Sequence, residues 1–122
     1  MKLRIQGDAV RLRLNQTEVA HFAATDHVEE AVRFAPDTVF RYTLEAGPDS
    51  NALCILYGDG AMRIVVPKSA ARQWVTSDQV GISGEQPMAA GISLKILVEK
   101  DFQCLHGEGD PDPDAFPNPF IG

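Results

Sequence analysis

A chain of 122 residues with 44% apolar and 23% charged side chains has the makings of one domain, residues 1–122, large enough to bury a core without staples. Two cysteines, Cys54 and Cys104, are too few for a disulfide framework; the opening MKLRIQGD lacks the apolar run of a secretion signal, and no segment reaches membrane-spanning length, so a cytoplasmic protein without membrane attachment is expected. The formal charge of −6 is concentrated at one end, where residues 101–122 hold five acids and no base; the rest is nearly neutral, which argues against nucleic acid as a partner.

Lys2–Gln6 and Ala9–Leu14 alternate with period two around Gly7-Asp8, a two-residue loop suited to a tight hairpin because glycine tolerates positive φ. Pairing across that turn sets Ile5 against Val10 and Leu3 against Leu12 on a core face. On the other face it sets Arg4 against Arg11 and Lys2 against Arg13. Like charges in direct opposition are unfavourable in a sheet. Lys2, Arg4, Arg11 and Arg13 therefore need either acids on a neighbouring strand, with Glu29 and Glu45 as candidates, or a bound anion.

Next, Asn15-Gln16-Thr17-Glu18 has the form of a capping box, and Val19, Phe22 and Ala23 give the following helix one apolar stripe. Val28, Glu30, Val32 and Phe34 alternate, Ala35-Pro36-Asp37 turns, and residues 38–46 form another strand. The turn-rich run Gly47-Pro48-Asp49-Ser50-Asn51 then closes a ββαββ unit.

The second half echoes the first. Residues 7–28 recur over residues 58–80 with Gly60 as an apparent insertion; Arg11, Asp26 and Val28 match Arg63, Asp78 and Val80, while Phe22 becomes Trp74. The apolar phase of Phe40, Tyr42, Leu44 and Ala46 returns at Ile92, Leu94, Ile96 and Val98. Strands are predicted at residues 53–57, 62–66, 80–85 and 92–100, with a helix over 68–75 whose Ala71, Trp74 and Val75 face the core. The predicted fold is α+β: two tandem ββαββ repeats (1–46 and 53–100) with pseudo-twofold symmetry, two short helices and an extended acidic tail (101–122). Short hairpin links favour antiparallel pairing, in open sheets or a barrel.

The tail offers several chemistries. Cys104 and His106, with Asp101 and Asp110 close in sequence, could ligate zinc or another transition metal, although no paired Cys-x-x-Cys or His-x-x-x-His element accompanies them. A thiol-dependent activity at Cys104 with His106 as base lacks an orienting third group. Asp110-Pro111-Asp112-Pro113-Asp114 departs from a calcium loop, with Ala115 in place of the turn glycine. Phe116, Pro117, Pro119 and Phe120 make a stiff aromatic segment that can dock on the protein's own body or in a partner's groove.

Residues 98–105, VEKDFQCL, and residues 115–119, AFPNP, together with the opening KLRIQGDAVRLRLNQTEV, resemble a family of small uncharacterised bacterial proteins, a domain of unknown function. The resemblance implies a bacterial cytosolic domain and carries over no catalytic residue. The sequence thus points to a non-catalytic binding or protein-interaction domain, monomeric or homodimeric, whose partner is a protein or a small ligand. The alternatives are a metal- or thiol-dependent activity at Cys104 and His106, and an anion or polyanion binder using Lys2, Arg4, Arg11 and Arg13.

Overall fold

Among the described residues, alternating apolar positions form eight strands, and three-to-four spacing forms two helices. In the computed structural model, which describes residues 1–102 and 114–117, the order is β1 (Lys2–Gln6), β2 (Ala9–Leu14), α1 (Gln16–Thr25), β3 (His27–Ala35), β4 (Thr38–Gly47), β5 (Cys54–Gly58), β6 (Ala61–Pro67), α2 (Lys68–Thr76), β7 (Gly81–Pro87) and β8 (Ser93–Lys100). A 3-10 turn, Ala89–Gly91, joins the last two strands.

The first hairpin has the register read from its alternation, Leu3 opposite Leu12 and Arg4 opposite Arg11. In the second, β5 runs on through Gly58 and the turn is Asp59-Gly60, both at positive φ, as a tight turn of this hand requires. Gln6–Ala9 and Gly58–Ala61 are then equivalent closing pairs 52 residues apart. The apparent insertion at Gly60 disappears, because matching Gly7 to Gly58 follows residue identity rather than the turn.

The strands form two four-stranded sheets, ordered β1-β2-β8-β7 and β3-β4-β6-β5. Each half of the chain supplies one hairpin to each sheet. Within hairpins the pairing is antiparallel, but the central pairs, β2 with β8 and β4 with β6, are parallel. The expectation of purely antiparallel sheets is therefore corrected: the short-link argument governs only strands joined by tight turns, and the central partners are joined through long intervening chain. The described strands form no closed barrel.

A shared core lies between these elements. Val10, Leu12, Leu14, Ile96 and Val98 come from one sheet, and Tyr42, Leu44, Met62, Ile64 and Val66 from the other; Phe22 of α1 and Trp74 of α2 complete it. Trp74 is fully buried, meets Phe22 edge-on at 6.2 Å between ring centroids, and donates its indole N–H to the Val80 carbonyl at 3.0 Å. That bond satisfies the one polar atom that the burial would otherwise leave unpaired.

The helix starts differ in a way the sequence explains. Asn15 accepts from the Glu18 backbone N–H at 2.9 Å while the Glu18 side chain accepts from the Asn15 backbone, a complete capping box. Pro67, at the start of α2, has no side-chain acceptor, and Asp49 from the connecting run accepts from Ser69 N–H at 2.8 Å instead. The Ser69 backbone N–H, with the Ser69 hydroxyl assisting, holds the Asp49 carboxyl below its ordinary pKa.

At its far end α1 stops on Asp26 in the left-handed region and β3 follows at once, whereas residues 77–80 separate α2 from β7. The equivalent pairs downstream, Val28–Leu44 and Ile82–Val98, consequently lie 54 residues apart. A shift of two preserves the inward phase, so the alternation fits an offset of 52 as well as the 54 of the pairing register.

Two further contacts tie the parts together. Gln86 of β7 presents its side-chain amide to the edge of β5, accepting from Ile55 N–H at 2.7 Å and donating to Ile55 C=O at 3.2 Å. Near the C-terminus, Phe116 N–H donates to Asp101 C=O at 2.7 Å, and Asp114 C=O accepts from Gln16 N–H at 3.0 Å. Residues 114–117 thus lie against the start of α1 and the end of β8. Pro119 and Phe120 fall outside the described residues.

Candidate anion-binding site

The buried phase of the β1-β2-β8-β7 sheet directs the other phase outward, in three rows across the four strands. The first is Lys2, Arg13, Glu99 and Gly81; the second Arg4, Arg11, Leu97 and Ser83; the third Gln6, Ala9, Lys95 and Glu85. Parallel pairing of β2 with β8 thus brings Lys95, far away in sequence, beside the basic hairpin. Ala9 is the shortest side chain between Lys95 and Gln6, and around it opens a hollow of about 460 Å³, walled by Arg4, Gln6, Arg11, Ser83, Glu85 and Lys95.

The four basic residues singled out in the hairpin share this face but differ in what they meet. Lys2 pairs with Asp101 at 2.7 Å, and Arg13 with Glu99 at 2.7 Å; Arg11 reaches the same Glu99 oxygen at 3.6 Å. Arg4 and Lys95 have no ion pair with a described residue. The offsetting acids are therefore Glu99 and Asp101 rather than Glu29 and Glu45. Glu45 lies on the other sheet, where both its oxygens hold Arg63, at 2.8 and 3.0 Å. The Arg63 guanidinium keeps the Glu45 carboxyl below its usual pKa, with the Thr43 hydroxyl assisting and partial burial opposing.

Lys95, Glu85, Gln6 and Ser83 were not among the residues singled out from sequence. For Ser83, Glu85 and Lys95 the outward phase is readable from the inward neighbours Ile82 and Ile96. Which hairpin they would join is not, because that depends on a pairing remote in sequence.

Lys100 is a different kind of cation. It is buried, donates to the Ser77 carbonyl at 2.7 Å, and its ammonium lies 6.0 Å from the Trp74 ring and 5.7 Å from the Phe116 ring. Burial pushes its pKa down. The contacts make it a joint between α2, β8 and the returning C-terminal segment. Of the residues considered for a metal, Cys104, His106 and Asp110 lie outside the described residues, while Asp101 is buried against Lys2. Among the described residues no group of three or more His, Cys, Asp or Glu side chains could hold a metal ion. Nor is any described helix long and apolar enough to cross a membrane.

Two mixed sheets, two helices and a joint core define an α+β domain that presents a cation-walled hollow on one outer face. The chain belongs to a family of unknown function, DUF7009, whose profile matches residues 1–120. No curated protein and no solved structure matches the chain.

Proposed function

We propose that this is a non-catalytic binding domain of the bacterial cytosol that holds a small, multiply charged anion in the hollow over Ala9. The carrying observation is the convergence of Arg4, Arg11 and Lys95 on one open cavity of about 460 Å³, a size suited to a small organic ligand. Guanidinium and ammonium groups are donors that stay charged at neutral pH, so they suit holding an anion better than moving its protons. An anion there would also relieve the repulsion between Arg4 and Arg11, which face each other in the hairpin.

Inorganic pyrophosphate, titrated by calorimetry at low and at physiological salt, tests this reading. Binding should weaken as salt rises, and Arg4→Ala with Arg11→Ala should reduce affinity by about tenfold or more, since each substitution removes charge-assisted hydrogen bonds. Equal binding by the wild-type and doubly substituted proteins would remove the hollow as the site.

We also infer that the two halves are copies of one ββαββ module. Exchanging each strand for its counterpart in the other half turns the order β1-β2-β8-β7 into β5-β6-β4-β3, which is the second sheet read from its other edge. Arg11 with Glu99 and Arg63 with Glu45 are ion pairs at equivalent places in this scheme. The acidic C-terminal stretch is an addition to the second copy.

A further inference from the structure

The hollow is electrically lopsided. Arg4 and Arg11 stand on β1 and β2, whereas Glu85 stands on β7, beyond the intervening β8. With strands about 4.8 Å apart, Glu85 is displaced by roughly 10 Å from the Arg11 strand and roughly 14 Å from the Arg4 strand. Glu85 is exposed and has no ion pair with a described residue, although Lys95 is its cross-strand neighbour. A carboxylate in the wall of a cavity that took only a simple anion would weaken that anion's binding.

We infer that the ligand is bipolar: an anionic head such as a phosphate lies on Arg4 and Arg11, and an ammonium or comparable donor about 10 Å away meets Glu85. This rests on the anion-binding reading above and narrows its ligand class. Gln6 and Ser83 supply neutral donors and acceptors along the hollow's two remaining walls. The competing role for Glu85 is to hold Lys95 in place as a cross-strand partner.

Hexyl phosphate and aminohexyl phosphate separate these roles, because they share the anionic head and differ only in an amine at a comparable distance. In calorimetric titrations the wild-type protein should prefer the amine-bearing compound by about three- to fivefold, the scale of one exposed ion pair. Glu85→Gln should abolish that preference while leaving hexyl phosphate bound as well as before or better. Glu85 is solvent-exposed and glutamine has its shape, so an unchanged thermal melt is expected alongside. Equal affinity of the wild-type protein for both compounds, or a preference that survives Glu85→Gln, would overturn the bipolar ligand while leaving pyrophosphate binding intact. A Glu85→Gln protein that bound both compounds equally more weakly would assign Glu85 to Lys95 and likewise overturn it. Failure of pyrophosphate and both esters to bind would overturn the anion reading itself.

Discussion

On the outer face of the β1-β2-β8-β7 sheet Arg4 lies across from Arg11; at the corresponding place on the other sheet Leu56 lies across from Arg63. One row along, Lys2 and Arg13 answer to Cys54 and Val65, and on the central parallel pair Lys95 answers to Arg41. Both faces retain an arginine–glutamate pair, Arg11 with Glu99 and Arg63 with Glu45. The first face thus carries five bases, Lys2, Arg4, Arg11, Arg13 and Lys95, against Glu85, Glu99 and the Asp101 that pairs with Lys2. The second carries Arg33, Arg41 and Arg63 against Glu29 and Glu45. The arginine–glutamate pair is common to both faces, and the bases on β1 and β2 are what set the first apart. Similar backbone pairing thus carries a more strongly basic surface in one place than in the other.

The sharpest way to break this comparison is to remove the support common to both faces. Trp74→Ala should cost about 3–5 kcal/mol, a large part of the roughly 5–15 kcal/mol that stabilises a typical domain, because it opens a large cavity where α2 meets Phe22 of α1. Denaturant titrations should show one transition at lower denaturant, with both sheets lost together; separate transitions would mean that the faces rest on independent cores.

Glutamate-to-glutamine exchange in the two shared pairs gives a smaller and more discriminating effect. Glu45→Gln should lower stability at neutral pH by about 1 kcal/mol or less, given the pair's exposure. The native carboxyl titrates below its unfolded value, so its stabilisation is complete above the ordinary carboxylate range and is lost as pH falls through the native pKa. Acid denaturation of the Glu45→Gln protein should lack that increment. Glu99→Gln instead removes the acid between Arg11 and Arg13, and should tighten pyrophosphate binding about two- to threefold at low salt. If the two substitutions behaved alike, the functional distinction between the faces would fail.

Much of the local structure was legible in the chain. The β1–β2 register followed from alternation around a two-residue turn, the α1 start from Asn15 and Glu18, and the burial of Trp74 from its place on an apolar stripe. Those features are decided by neighbours a few residues apart. The choice of hairpins sharing a sheet is not, since any amphipathic hairpin presents the same alternation to several partners. The parallel central pairs are therefore not written in local alternation, and neither is the approach of Lys95 and Glu85 to Arg4 and Arg11. Of the six wall residues only Arg4 and Arg11 could be named from the chain, because they oppose each other within one hairpin; Ser83, Glu85 and Lys95 reach the site only through tertiary pairing.

The crossing-over of hairpins has a consequence for how the molecule could be divided. A cut within the turn-rich connection after β4 would leave each fragment with two hairpins whose sheet partners reside on the other fragment. Neither piece should hold its native form in isolation, yet the two should reassemble on mixing, detectable as recovered circular dichroism at a one-to-one ratio. Such mutual dependence would make the chain a natural candidate for a split reporter, since each fragment would carry the missing strand neighbours of the other.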